Sequence, residues 1–218
     1  MTDIVPAAEP ERPPGAGANR VFLLSPARCD GRRAKILLSE KASFDLATRL
    51  RTDGASVGEV FAFLSKLYFR GKLAYARAFG HRADGQVSSL AITTDRGLVP
   101  VDTRITREDV IRFGDIDLAS ADDRYRGPLR ATAEHLDAEL GGAESVVLLG
   151  SIATGKYVDM LIEIFGDRLL FPIEFVGRGD MSRGGLLLRC ARAGTELTYV
   201  PVRGAMRRGK RPPKLGAL

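Results

Sequence analysis

Short apolar runs alternate along the chain with longer stretches of helical period. The first run, Val21-Phe22-Leu23-Leu24, is closed by Ser25-Pro26, and an unbroken apolar run bounded by a turn signal reads as a strand buried on both faces. Leu90-Ala91-Ile92-Thr93, Val146 to Leu149 and Leu169 to Phe175 have the same form. Leu98 to Asp102 continues as an irregular extended piece, since Pro100 argues against a central strand. Leu197 to Val202 adds an edge strand.

The intervening stretches are helical. Ser56 and Glu59 have capping-box spacing, and Val57, Val60, Phe61, Leu64, Leu67 and Tyr68 follow at helical intervals within a helical region over 43–79. Leu73, Ala76 and Phe79 continue the pattern, with Lys72 and Tyr75 three apart on one face. Tyr68 and Tyr75 read as partly buried aromatics. Thr106 with Asp109 marks another helix start, and Leu129, Ala133, Leu136 and Leu140 form one stripe over 128–140, with His135 off it at the surface. Tyr157 to Phe165 is apolar almost all round, Lys156, Asp159 and Glu163 being its polar stripe. Strands alternating with helices predict an α/β fold, a single domain over 20–202 with a largely parallel central sheet flanked by helices. A Pro/Ala-rich disordered tail over 1–19 is expected before it, and a basic tail over 203–218 after it. That tail carries Arg203, Arg207, Arg208, Lys210, Arg211 and Lys214 with no acid between them.

Composition narrows the field. A 44% hydrophobic content supports an ordinary core, and a formal charge of +6 permits a polyanionic partner without requiring one. Cys29 and Cys190 are too few for a disulfide framework or a cysteine zinc site, and two histidines do not make a metal centre. Neither a metal nor a cofactor is expected. No apolar run reaches the roughly 18 residues of a membrane span, so the expected location is the cytoplasm.

Two glycine-rich turns follow apolar strands and precede helices. Such turns leave backbone N–H groups unpaired at a helix N-terminus, where the dipole favours an anion. The first, Gly150-Ser151-Ile152-Ala153-Thr154-Gly155-Lys156-Tyr157, nearly matches the nucleotide-triphosphatase P-loop, but Tyr157 stands where the magnesium-binding hydroxyl belongs. It therefore reads as an anion-binding turn without magnesium. The second, Gly177 to Gly185, has Arg178 and Arg183 flanking Asp180, Met181 and Ser182, with Ser182 placed to cap the next helix. Gly184 and Gly185 open that helix, which suits close approach of a backbone or a ligand. Pairing of either arginine with Asp180 in a purely structural turn is the competing reading. Arg28 and Arg33 lie in a third basic turn after the first strand, where open α/β sheets bind ligands. Asp30, Asp95, Asp102, Glu174 and Asp180 follow or end predicted strands and could converge at one sheet edge. Asp95, Asp102 and Glu174 are the candidate acid–base groups, and no nucleophile–His–acid set exists.

Four pieces taken together resemble a known pattern: Leu24-Ser25-Pro26-Ala27-Arg28, Arg96 to Asp102, Ser151 to Tyr157, and Arg178-Gly179-Asp180-Met181-Ser182-Arg183. In this order the chain is similar to the bacterial YaaA-type peroxide-stress family. It is more distantly like the uracil-DNA-glycosylase-like accessory domain of archaeal tRNA-guanine transglycosylase relatives. The resemblance implies an α/β fold and association with DNA. It departs from the family at Arg28, where lysine is usual, and no helix-hairpin-helix is evident in 41–80.

The expected function is nucleic-acid binding, DNA rather than RNA, through phosphates held at one sheet edge, in stress response or nucleic-acid maintenance. The expected contacts are Ser25, Arg28, Arg33, Arg96, Gly150, Ser151, Gly155, Lys156, Tyr157, Arg178, Gly179, Ser182 and Arg183. The alternative is an enzyme on a nucleoside or nucleotide, of glycosidase or base-modifying type, that uses the same loops for phosphate.

Overall fold

The computed structural model describes residues 20–82, 84–116, 122–142, 144–153, 155–206 and 209–213, with backbone alone for Gly155 and Lys156. The expected N-terminal tail, Thr154 and the tail residues Arg207, Arg208 and Lys214 lie outside these. Six strands form one sheet in the order β4 (Leu98–Pro100), β3 (Ser89–Ile92), β1 (Arg20–Leu24), β6 (Ser145–Leu149), β7 (Leu169–Pro172), β8 (Tyr199–Pro201). The four inner strands are mutually parallel, and β4 and β8 close the edges antiparallel. The α/β architecture with a largely parallel sheet is as the sequence predicts.

The central pair explains the uninterrupted apolar runs. Leu24 pairs with Leu149 and Phe22 with Val147, and Val21 to Leu24 and Val146 to Leu149 are fully buried. Strands covered on both faces have no polar side to alternate with. On one face lie α3 (Val57–Ser65), α4 (Leu67–Phe79) and α8 (Asp180–Ala193), on the other α6 (Asp123–Leu140) and α7 (Gly155–Phe165). The shorter α1 (Arg32–Leu37), α2 (Asp45–Thr52) and α5 (Arg107–Asp115) border these, beside a two-stranded ribbon of β2 (Ala55–Ser56) and β5 (Arg104–Ile105). None of the described helices is long and apolar enough to cross a membrane.

The helix α4 runs antiparallel to β1. Tyr75 packs edge-on against Phe22 at the middle of the strand, while Lys72 stands level with Ser25, just past its end. The helix crosses α8 at two glycines: a Cβ on Gly184 would fall 2.6 Å from the Leu67 carbonyl oxygen, and one on Gly71 would fall 2.5 Å from that of Gly184. Backbone therefore meets backbone, the first of the two possibilities raised by the Gly184-Gly185 pair.

Several local expectations change. The helical region 43–79 is three helices, broken at the ribbon strand β2 and at Lys66, whose φ is +53°. Leu98 to Pro100 is a regular strand, tolerated because β4 is an edge. The helix α6 begins at Asp123, capped by Asp122, and carries Pro128 inside it. The fourth inner strand stops at Pro172, and Ile173–Phe175 is a 3-10 turn. The helix α8 starts at Asp180 after Gly179, so Ser182 lies inside the first turn and caps nothing. Thr106 and Asp109 do form a full capping box.

Candidate functional site

The chain leaves β1 for one side of the sheet and β6 for the other, and the crevice beyond their C-terminal ends is where open α/β sheets bind ligands. Ser25 and Gly150, the residues that follow these two strands, lie against one another there. Gly150 is held to glycine by this proximity, since a Cβ there would stand 2.8 Å from the Ser25 Cβ and 2.7 Å from the Tyr157 hydroxyl.

Beneath Ser25 lies Lys72, the most unusual residue of the fold. It is only 1% exposed. Its ammonium donates to the Ser25 carbonyl oxygen at 2.6 Å and to Ser25 Oγ at 2.9 Å. The rings of Tyr68 and Phe69 lie 4.5 and 4.6 Å from Nζ. No carboxylate among the described residues bonds to it. Burial drives its pKa from 10.5 down to about 7; the through-space pull of Asp180 upward is countered by the push of Arg183 downward. Burial thus weakens the ammonium form of Lys72 relative to an exposed lysine.

Tyr157 completes this centre from the first turn of α7. It is buried, within hydrogen-bonding reach of the Ser25 side chain, and its hydroxyl donates to the Ser151 carbonyl oxygen at 3.4 Å. Burial raises its pKa to about 12, and its contacts with Ser25, Ser151 and Arg183 partly offset that. The Tyr68 hydroxyl is also buried, and burial raises its pKa, with Arg183 pulling the other way and Tyr157 and Asp180 close by. It has no hydrogen-bond partner of normal geometry among the described residues, nor has the Tyr125 hydroxyl, which lies near Tyr157. Asp180 and Arg183 of α8 therefore act on the same three side chains, Tyr68, Lys72 and Tyr157.

The second glycine turn is shaped by its own arginines. Arg178 Nε donates to the Glu174 carbonyl oxygen at 3.0 Å and Nη1 to Ser182 Oγ at 3.1 Å. Arg183 donates twice to the Phe175 carbonyl oxygen, at 3.2 and 3.1 Å, over the Phe175 ring. Neither pairs with Asp180, so the structural reading of this turn is corrected in its detail: the arginines brace carbonyls. Part of the basic tail folds back here, because a Cβ on Gly177 (φ +73°) would fall 2.2 Å from the Lys210 carbonyl oxygen.

The other expected contacts do not join this group. Arg28 is exposed and pairs with Asp30 at 2.6 and 3.0 Å. Arg33 donates to the Phe63 carbonyl oxygen at 2.5 Å and covers that ring, which ties it to α3. Arg96 is held by Asp109 and by Asp95 at the β3–β4 turn. Gly155 and Lys156 open α7, and the Lys156 side chain lies outside the described residues.

The candidate acids do not converge either. Asp95 is bridged to Arg96 and Arg112, both at 3.3 Å. Asp102 follows β4, whose antiparallel course carries it to the opposite edge of the sheet, where it pairs with Arg77 at 2.6 Å. Glu174 is on the correct edge, but its Oε1 accepts from the Thr198 N–H at 2.9 Å, at the start of β8. Its Oε2 is buried without a hydrogen-bond partner among the described residues. Cys29 and Cys190 are free thiols, and no cluster of His, Cys, Asp and Glu among the described residues could hold a metal ion.

Sequence reasoning missed Lys72. The signal was present: Tyr68, Lys72, Tyr75, Ala76 and Phe79 lie on one stripe of α4, and a lysine in that stripe must be buried or snorkel. No protein-family model, curated protein or solved structure matches the chain.

Proposed function

We propose that the protein binds nucleic acid, DNA in the first instance, by receiving a backbone phosphate in the crevice beyond β1 and β6. The observation that carries this is the convergence of Arg183 with the Ser25, Lys72 and Tyr157 centre, at the edge where α7 and α8 both begin. Two helix N-termini and a guanidinium favour an anion there. Arg178 stands in the same turn, and Lys210 and Arg211 follow the backbone contact at Gly177. These cations would bind the chain on either side of the received phosphate, adding affinity without sequence choice. The likeness to the YaaA-type family points the same way.

Fluorescence anisotropy of labelled duplex, single-stranded DNA and tRNA across a salt series tests this. Binding should weaken with a log–log slope of about −0.9 per duplex phosphate contacted. The Arg178→Glu, Arg183→Glu double variant should bind every ligand less tightly and show a shallower slope. Unchanged affinity in that variant removes the second turn from the account.

A second reading, an enzyme acting on a nucleotide or nucleic-acid phosphate ester, is favoured by one observation: the burial of Lys72 against Ser25 with no neutralising carboxylate among the described residues. A purely electrostatic phosphate site gains little from a cation whose charge burial disfavours.

A further inference from the structure

We propose that Ser25 is a nucleophile activated by Lys72, and that the bond it attacks is a phosphate ester of the ligand held at this edge. The proposal rests on the phosphate-binding reading above.

The geometry is that of a nucleophile with its base behind it. Lys72 Nζ lies 2.9 Å from Ser25 Oγ, within the distance at which a base takes a hydroxyl proton. Lys72 is 1% exposed and Ser25 8%. The amine itself therefore has no route to a ligand, and any chemistry it does must pass through Ser25. The second bond, to the Ser25 carbonyl oxygen at 2.6 Å, fixes the amine against one residue only. As an amine, Lys72 can donate to that carbonyl and still offer its lone pair to the Oγ proton. As an ammonium it donates to both oxygens and turns a third N–H towards the Tyr68 and Phe69 rings. Both protonation states are accommodated without rearrangement.

A structural role does not account for this choice of residue. A neutral amide could bond the same carbonyl and hydroxyl, whereas a buried lysine without an ion-pair partner is strongly unfavourable. The charged groups facing Lys72 are Asp180 and Arg183 of α8, which oppose each other; Tyr157 of α7 reaches Ser25 from the far side. A lysine whose ammonium form is disfavoured by burial and whose Nζ meets a hydroxyl has the arrangement a general base needs.

The reaction balances within this centre. Ser25 Oγ attacks phosphorus, and its proton passes to the Lys72 amine. The bond from phosphorus to the leaving alcohol breaks, and that oxygen takes a proton from bulk water, leaving hydroxide. Arg183 faces the negative charge gathered on the phosphoryl oxygens. The hydroxide then attacks the phosphoserine, and the Lys72 ammonium returns its proton to the departing Ser25 oxygen.

A fluorophosphonate probe tests the pair, because its phosphorus is captured by an activated serine with loss of fluoride. Intact-mass and peptide mass spectrometry should find one adduct, on the peptide bearing Ser25, forming faster as pH rises with a midpoint near neutrality. Ser25→Ala should abolish the adduct, and Lys72→Met should slow it by about 100-fold or more while keeping its circular dichroism. If Lys72→Met does not fold, the pH profile of the unaltered protein decides the matter. No adduct on Ser25, or labelling that ignores pH or survives Lys72→Met at full rate, overturns the proposal. The unaltered protein is assayed alongside for binding to the labelled DNA. Binding without labelling removes the nucleophile and leaves the phosphate site standing. Labelling without binding removes the phosphate-ester substrate.

Discussion

Replacing Lys72 by methionine should make the protein more stable at neutral and mildly acidic pH. The unfolded chain binds a proton at Lys72 with the ordinary pKa of 10.5, the folded chain only below about 7. Between these values the unfolded state holds more protons, so stability rises with pH through the window, and the full penalty is present below it. A fall from 10.5 to about 7 corresponds to about 5 kcal/mol of opposition to folding at pH 6, at about 1.4 kcal/mol per pH unit. Methionine is of similar length and suits the apolar stripe of α4. It leaves the Ser25 carbonyl and hydroxyl without their lysine donor, which costs about 1–3 kcal/mol. The net expectation is a gain of about 2–4 kcal/mol near pH 6, or roughly 5–15 °C in melting temperature for a chain of this size. Near pH 9.5 only about 1 kcal/mol of the penalty remains, and the gain should vanish or reverse. Thermal melts of both proteins at three pH values between these limits read this directly. A variant that is less stable than the parent near pH 6, or a difference that does not change with pH, would refute the reasoning.

Other expectations follow from single contacts. Gly184→Ala puts a methyl 2.6 Å from the Leu67 carbonyl oxygen and should destabilise by about 2–3 kcal/mol, read by denaturant unfolding. Thr106→Ala removes the capping box of α5 and should cost about 1 kcal/mol in the same assay. Arg28→Ala breaks only an exposed pair with Asp30, so it should leave the denaturant unfolding midpoint essentially unchanged. Because Arg28 stands apart from the Lys72 centre, it should also leave anisotropy-measured DNA affinity nearly unchanged, in contrast to Arg178 and Arg183.

The parts of this fold that were legible are those where one physical rule governs. Val21 to Leu24 and Val146 to Leu149 read as buried parallel strands because nothing polar interrupts them, and both turns introduce helices because glycine frees N–H groups where an apolar period begins. The edge on which Asp102 lies was also legible. Residues 93–97 are too few to return a chain to a parallel neighbour, so β4 had to run back and carry Asp102 away from the others. What the sequence hides is the pairing of charges over distance. The Arg96–Asp109 and Arg77–Asp102 bridges occupy residues that local pattern offers as free contacts. Lys72 was hidden differently: an amphipathic helix is normally read by assigning every lysine to the solvent face, and here the stripe itself contains one.

The measurement that bears most directly on the central claim is a structure with a 5′-phosphorylated dinucleotide bound. The account predicts a phosphate between Ser25 and the first turn of α7, with Arg183 facing it and the chain passing towards Arg178. A phosphate seated instead on Arg28 or Arg96, or in the open groove between Arg32, Lys35 and Phe44, would contradict it.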